Sequence, residues 1–227
     1  MTNSNSTRRF VIFANGPLPN PIEAQRYVRR GDRLICADGG TQHAWAMGLT
    51  PDVIVGDFDS LEPALKQELN ASGVRFEQHP VDKDQTDLEL ALDLAIAEGA
   101  TEIDILAVQG GRLDQSLANI MLLARPDWAA VKVRAIVGNE IAWPVRGGQI
   151  VTINGTIGDR LSLIPLALVT TGITFTGVKW PLQNATLRLG STWGISNVLT
   201  KPTARLQVSE GILLVIHAVG VGEKRQT

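Results

Sequence analysis

The sequence has little that would cross-link the chain, anchor it in a membrane or attract it to a polyanion. Its 227 residues include a single cysteine, Cys36, so an internal disulfide is excluded and a reducing compartment such as the cytoplasm is expected. The formal net charge of −2 argues against nucleic acid or an anionic membrane as the main partner. The longest apolar runs, 161–169 and 212–221, fall well short of the roughly 20 residues that cross a bilayer.

Two common nucleotide-binding motifs are also missing. The chain contains no G-x-x-x-x-G-K-[ST] and no G-x-G-x-x-G, so it is neither a P-loop kinase nor a standard dinucleotide-binding protein. Residues 1–9 are polar and lack the apolar centre of a signal peptide, and we expect them and residues 221–227 to be disordered tails. The hydrophobic content of 44% is ordinary for a globular protein of one large or two small domains.

The pattern of apolar residues changes near position 138 and predicts two domains. Residues 10–138 alternate strands with helices, which predicts an α/β domain with a mostly parallel sheet. Residues 139–220 lose the helical period, and their short alternating runs predict an all-β sandwich or barrel. The strands expected in the first domain are 10–14, 33–37, 53–55, 74–77, 102–108 and 131–137, and the helices are 22–30, 41–47, 61–71, 88–96 and 117–124. The runs in the second are 140–145, 149–153, 160–164, 173–178, 185–189, 196–199, 204–208 and 211–218.

One stretch of the first domain, 53–60, combines a buried strand with two acids. Three β-branched residues are followed by Gly56, and then Asp57 and Asp59 flank Phe58. Side chains at i and i+2 of an extended segment project to the same side, so the two carboxylates would repel unless a cation lies between them. A hard divalent ion, Mg²⁺, is the natural choice. The alternative is a solvated loop after a strand, where Asp, Gly and Ser are common.

Other predicted strands end in glycine or acid. Asn15 and a glycine end the first, Asp38 with Gly39 and Gly40 follows the second, and residues 110–114 follow the fifth. The carboxyl ends of parallel strands share one edge of a sheet, and open α/β sheets bind ligands there. In the 110–114 loop, Arg112 could clamp a phosphate through its planar fork, and Asp114 adds a carboxylate. Together these loops predict a cleft for a phosphorylated ligand and a metal.

The loop 82–87 precedes a clear amphipathic helix and carries three acids, Lys83 and Thr86. Acids at the start of a helix complement its dipole, which explains one or two of them without any function. The start of a helix also binds phosphate. The loop, which ends in Asp87, therefore belongs with the predicted cleft.

The second domain offers aromatic rather than acidic candidates. Trp180 lies beside a proline, and Trp193 is followed by Ser196 and Asn197. These residues could stack on and hydrogen-bond to a ligand, or the tryptophans could pack in the core or at a dimer interface.

Several motifs, in this order along the chain, resemble those of the thiamine pyrophosphokinase family. The acidic and glycine-rich ones are Ala-Asp-Gly-Gly at 37–40, Gly-Asp-Phe-Asp-Ser at 56–60, Asp-Lys-Asp-Gln-Thr-Asp at 82–87 and Gly-Gly-Arg-Leu-Asp-Gln at 110–115. Residues 177–182 and 194–197 are weaker matches, and the resemblance covers about residues 10–218. Lys83 and Gln115 depart from the family pattern, in which some members have glutamine at the first position and many have histidine at the second.

The resemblance implies an N-terminal ATP-binding α/β domain, a C-terminal thiamine-binding β-sandwich and a homodimer with thiamine held between subunits. It implies transfer of pyrophosphate from ATP to thiamine, which gives thiamine diphosphate and AMP. Carried over by motif, the catalytic and Mg²⁺-binding residues are Asp57, Asp59 and Asp87, with Asp87 as the proton acceptor. The ATP site would comprise Asn15, Asp38, Gly39, Gly40, Thr86, Arg112 and Asp114. Thiamine would be held by Trp180, Ser196 and Asn197.

Two other functions are compatible with parts of the sequence. A phosphatase could use Asp57 as its nucleophile, because 57–60 after an apolar strand resembles the haloacid-dehalogenase motif. Such an enzyme should carry a late acidic pair after another strand, and the region beyond residue 140 lacks one. The protein could also bind thiamine or a nucleotide without turnover.

Overall fold

The computed structural model describes residues 7–59 and 61–220. Residues 1–6 and 221–227 of the expected tails, and Ser60, the expected N-terminal cap of the helix 61–71, lie outside the described residues. The expected tail 1–9 is wrong at its last residue, because Arg9 begins a strand and is 9% exposed. The chain divides into two compact units, one on each side of the Gly138–Asn139 bond.

The described part of the first unit is a parallel sheet with helices between its strands. The strands are β1 (Arg9–Phe13), β2 (Arg33–Ala37), β3 (Val53–Gly56), β4 (Arg75–Gln78), β5 (Glu102–Leu106) and β6 (Lys132–Val137). The helices are α1 (Pro21–Ala24), α2 (Gly40–Ala46), α3 (Pro63–Ala71), α4 (Asp87–Ala97) and α5 (Leu113–Leu122), with short 3₁₀ turns at Gln25–Tyr27 and Pro126–Trp128. The strand order is β4-β3-β2-β1-β5-β6, and every pairing is parallel. The predicted α/β fold is confirmed.

The strand order reverses between β1 and β5, and the loops after these two strands are tied together. Ala14 N donates to Leu106 O and Gly16 N donates to Ala107 O, both at 2.9 Å. A Cβ at Gly16 would lie 2.4 Å from Ala107 O, so only glycine fits this approach. Such a reversal opens a crevice at the carboxyl ends of the strands, where ligands of open α/β sheets bind.

A buried cluster of charges ties β1, β5 and β6 together. Arg9 contacts the carboxylates of Asp32 and Asp104, and Arg134 donates to Asp104 from Nε and Nη2 at 2.7 Å each. Burial alone would lower the pKa of Arg9, but hydrogen bonds and charge from the two carboxylates outweigh burial, so its pKa is raised.

The second unit is a sandwich of two antiparallel sheets. Its strands are β7 (Glu140–Arg146), β8 (Ile150–Asn154), β9 (Arg160–Pro165), β10 (Val169–Thr176), β11 (Leu182–Arg188), β12 (Asn197–Val198), β13 (Thr203–Gln207) and β14 (Ile212–Ala218). One sheet has the order β12-β9-β14-β7 and the other β11-β10-β13-β8. Inward side chains of both sheets, such as Leu161, Phe175 and Val215, form one buried core. The predicted β-sandwich is confirmed.

The clearest error of the sequence analysis is the helix expected at 22–30. The chain forms only α1 and one 3₁₀ turn there, and Val28 is already extended with φ −96°. Ala24 is the one buried residue of α1, so the segment lacks the apolar face that would stabilise a longer helix. Within the described residues, no helix combines the length and the apolarity that crossing a membrane requires.

Candidate active site

The carboxyl ends of β2 and β3 bring three aspartates together. Carboxylate oxygens of Asp38, Asp57 and Asp59 all lie within 4.8 Å of one another. Asp38 follows β2, and the other two follow β3. The parallel register, in which Ala37 pairs with Val55, places both loops at one edge of the sheet. We call these three residues the aspartate group.

The backbone of the aspartate group is held in an unusual conformation. Asp38 has φ +42° and Phe58 has φ +66°, values that residues with side chains rarely adopt. Phe58 is buried and packs edge-on against Phe76, with ring centroids 5.3 Å apart. Asp59 N donates to Asp57 Oδ1 at 3.1 Å, which closes the turn around Phe58. Strained residues of this kind persist where the surrounding packing enforces them, often at functional sites.

The aspartate group suits a hard cation. Among the described residues, no lysine or arginine forms an ion pair with Asp57 or Asp59. Asp38 is 8% exposed, whereas Asp59 is open to solvent. Three charged carboxylates this close repel one another, and their oxygens could hold a hard divalent cation.

The loops around the aspartate group leave space for a ligand. A Cβ at Gly39 would lie 2.2 Å from Asn15 Oδ1, and one at Gly40 would lie 2.0 Å from Phe13 O. Backbone therefore excludes any side chain at Gly40, whereas a side chain at Gly39 would have to displace that of Asn15. A cavity of about 370 Å³ lies beside Asp38, lined by residues of α2, α3 and the loop before α3. His43 Nε2 lies 2.7 Å from Gly16 O and braces this edge. Sequence reasoning gave His43 no part in the site, because nothing local reveals a partner 27 positions away.

Asp87, a predicted metal ligand, is not one of the three grouped aspartates. Its Oδ1 lies 2.9 Å from Lys83 Nζ, which also donates to Pro80 O at 3.0 Å. Thr86 Oγ1 accepts from Glu89 N at 3.2 Å and so caps α4. Asp38, which the family resemblance assigns to the nucleotide site, occupies the third position of the group. The metal role of Asp87 and the ATP role of Thr86 stay predictions.

Arg112 and Asp114 form a two-bonded ion pair with each other at the start of α5. The two N–O distances are 3.1 Å and 2.5 Å, and both side chains are exposed. The hydrogen bond from Arg112 lowers the pKa of Asp114, and the same bond raises the pKa of Arg112. Asp114 thus holds the guanidinium of Arg112 in the loop after β5.

In the second unit, the candidates differ sharply in exposure. The Trp180 and Trp193 side chains are 54% and 65% exposed, so core packing explains neither of them. Lys179 Nζ lies 4.6 Å from the centroid of the Trp180 ring. Ser196 is exposed with φ +62°, whereas Asn197 is buried.

Comparison with family models gives a consistent match for both units. Residues 24–136 match the model "Thiamin pyrophosphokinase, catalytic domain". Residues 149–213 match "Thiamin pyrophosphokinase, vitamin B1 binding domain".

Individual relatives agree with the family models. Thiamine pyrophosphokinase of Bacillus subtilis is 31% identical over 207 residues, which cover 91% of this chain and 97% of that protein. Its crystal structure superimposes with a TM-score of 0.84 and covers 93% of this chain and 99% of the other. The structure of thiamin pyrophosphokinase from Geobacillus thermodenitrificans is 29% identical, with a TM-score of 0.80 and coverages of 92% and 97%. Thiamine pyrophosphokinase 1 of Oryza sativa is 26% identical over 91% of this chain and 86% of its own.

Proposed function

The chain belongs to the thiamine pyrophosphokinase family, and we propose that it transfers the pyrophosphoryl group of ATP to the hydroxyl of thiamine at the aspartate group. The products are thiamine diphosphate and AMP. The observation that carries this proposal is the convergence of Asp38, Asp57 and Asp59 at the carboxyl edge of the parallel sheet. The comparisons favour neither a phosphatase nor a binding protein without turnover.

Mg²⁺ would be held by Asp57 and Asp59, with Asp38 from the neighbouring loop and Asp87 at the start of α4. When bound, the ion neutralises phosphate oxygens and so lowers the barrier to pyrophosphoryl transfer. The rigid turn around Phe58 keeps both flanking carboxylates on one side, so little reorganisation is needed when the ligand arrives.

The triphosphate would lie along the strand ends. Gly39 packs against the side chain of Asn15 and Gly40 against the end of β1, so Asn15, Gly39 and Gly40 would form one edge beside the triphosphate. Thr86 places a hydroxyl at the start of α4, and the ion pair with Asp114 holds the guanidinium of Arg112 at the start of α5. Arg112 would exchange that carboxylate for phosphate oxygens, because its fork binds either anion through two hydrogen bonds.

Thiamine would be held by residues of the second unit. It is cationic and aromatic, so the exposed face of Trp180 suits it by stacking and by cation–π attraction. The exposed hydroxyl of Ser196 would hydrogen-bond to it. Asp87 would accept the proton of the thiamine hydroxyl.

The proposed assembly is a cytoplasmic homodimer with its active sites at the subunit interface. The stripe of Leu113, Leu117 and Met121 on α5 supports an interface, because all three are more than half exposed at i, i+4 and i+8. Cys36 is the single cysteine of the sequence and cannot form an internal disulfide, which fits a reducing compartment. Light scattering of the purified protein would give twice the mass of the chain; a monomer would contradict the proposal.

The reaction is tested by incubating the purified protein with ATP, Mg²⁺ and thiamine and identifying every product. AMP and thiamine diphosphate in equal amounts are expected. ADP with thiamine monophosphate would show single phosphoryl transfer, and orthophosphate alone would show hydrolysis. Either of these results would overturn the proposal.

A further inference from the structure

The side-chain amide of Asn197 is buried and bonded to the backbone of Trp180. Asn197 Oδ1 accepts from Trp180 N at 3.0 Å and from Val198 N at 2.9 Å, and Nδ2 donates to Trp180 O at 2.7 Å. Asn197 is 7% exposed. An amide oxygen has two lone pairs, so Oδ1 has no further acceptor site, and one N–H of the amide remains.

This contact continues a ladder between two segments that run antiparallel, 177–180 and 197–200. Thr200 N donates to Gly177 O at 3.0 Å, Val178 bridges Leu199, and Lys179 N donates to Val198 O at 2.9 Å. At Trp180 the ladder continues through the side-chain amide of Asn197, which accepts from Trp180 N and donates to Trp180 O.

The backbone cannot extend the ladder beyond this point. Ser196 turns into the left-handed region with φ +62°, and its N–H donates to Ser162 Oγ at 3.1 Å. On the other segment, Pro181 has no N–H to donate. Between this ladder and β11, which begins at Leu182, the side chain of Asn197 makes the hydrogen bonds to the backbone of Trp180.

Because Trp180 is exposed, its position depends more on the hydrogen bonds from Asn197 than the position of a buried tryptophan would. The Trp180 side chain is 54% exposed, so core packing restrains only part of it. A ring that must stack on a ligand binds more tightly when its position is fixed in advance.

We propose that Asn197 is a positioning residue: it fixes Trp180 as the seat for the aromatic cation and is not itself a hydrogen-bond acceptor for that ligand. The proposal rests on the thiamine-binding role given to Trp180 above. If it is right, a change at Asn197 affects thiamine binding only through the position of Trp180.

A double-mutant cycle tests the proposal, with the thiamine dissociation constant measured by calorimetry for the wild type, Asn197→Ala, Trp180→Ala and the double variant. We expect each single change to weaken binding by about tenfold, and the double variant to bind within about threefold of Trp180→Ala. Asn154→Ala, an exposed asparagine of β8, is the matched control and should bind as the wild type does. A double variant about tenfold weaker than Trp180→Ala would mean that Asn197 contacts thiamine directly, and this would overturn the proposal.

A second readout does not depend on thiamine. Hydrogen exchange at the Trp180 amide should become at least about tenfold faster in Asn197→Ala, because its acceptor is lost. Asn197→Asp keeps the acceptor oxygen but loses the donor to Trp180 O, so its exchange should be intermediate. Unchanged protection of the Trp180 amide in both variants would overturn the inference. Failure of the wild type to bind thiamine would instead count against the proposed function, and the exchange measurement would still decide on the anchor.

Discussion

The first unit contains two groups of carboxylates that differ in what balances their charge. Asp104 is 2% exposed at its side chain and lies between Arg9 and Arg134, which satisfy it from two neighbouring strands. Asp57 and Asp59, at the carboxyl edge of the same sheet, form no ion pair with a lysine or arginine of the described chain. Arginine side chains neutralise the charge of Asp104, whereas the negative charges of Asp57 and Asp59 could bind a cation.

From this difference we expect the Asp104 cluster to stabilise the fold and the aspartate group to serve the proposed function. Removing one partner of a buried ion pair leaves the other charge buried without compensation. Changes in the Asp104 cluster should therefore lower the free energy of unfolding. Removing a carboxylate from a group of like charges relieves repulsion, so the aspartate group should matter for activity at no cost in stability. The predictions below test this division.

The largest effect is expected from Asp57→Asn. The change removes a charged ligand oxygen from the aspartate group but preserves the size of the side chain, so kcat/KM should fall at least about 10³-fold. The melting temperature should stay the same or rise. Steady-state formation of AMP and thermal unfolding measure the two quantities.

Asp127→Asn, on an exposed carboxylate paired with Arg125, is the matched control and should keep full activity. An Asp57→Asn enzyme within tenfold of the wild type would break the division, because the aspartate group would then not be needed for turnover.

Asp104→Asn is the corresponding test of the ion-paired group. It removes the carboxylate that pairs with Arg134 and leaves Arg9 with Asp32 as its remaining charged partner, so the free energy of unfolding should fall by about 3 kcal/mol. The kcat of the folded fraction should be unchanged. Urea unfolding followed by circular dichroism gives the first quantity, and activity below the unfolding transition gives the second. A large loss of kcat with normal stability would place Asp104 among the functional carboxylates.

Addition of Mg²⁺ without nucleotide should distinguish the two groups directly. At a free concentration of about 100 times its dissociation constant, an ion that binds only the folded state adds about 2.7 kcal/mol of stability. We expect this gain in the wild type and in Asp104→Asn, and its loss in Asp57→Asn. An equal rise in melting temperature for all three proteins would show that Mg²⁺ binds elsewhere.

Local patterns in the sequence revealed one group better than the other. The i, i+2 spacing of Asp57 and Asp59 after an apolar strand is readable without a fold, because both side chains belong to one turn. The entry of Asp38 into the group depends on the register of β2 against β3, which no local pattern contains. The same holds for Asp104 and Arg134, which lie 30 positions apart and meet only through the pairing of β5 with β6.

The remaining differences have the same origin. The helix expected at 22–30 had helical composition but no apolar face for the core, so tertiary packing could not support it. The anchor of Trp180 by Asn197 joins residues 17 positions apart, at a place where a backbone ladder happens to end. Residue types at strand ends thus predicted where the aspartate group lies, and long-range register decided which residues belong to it.

Asp159, in the second unit, is a buried carboxylate whose charge is stabilised mainly by hydrogen bonds. Its substitution gives the smallest effect that we expect. Its oxygens accept from Thr156 N at 3.0 Å, from Gly220 N at 2.9 Å and from His217 Nε2 at 2.9 Å. Burial alone would raise the pKa of Asp159, but these bonds outweigh burial, so its pKa is lowered.

A carboxyl whose folded pKa is depressed contributes stability above its unfolded pKa, about 3.9, and loses it as pH falls through the folded value. Asp159→Asn should therefore cost about 2 kcal/mol at pH 7 and flatten the decline in stability below pH ~4. Urea unfolding at a series of pH values measures both. Asp127→Asn, on the surface, should leave the pH profile close to that of the wild type. If Asp159→Asn loses stability in acid as steeply as the wild type, Asp159 is neutral in the fold, and hydrogen bonds alone do not keep a buried carboxylate charged here.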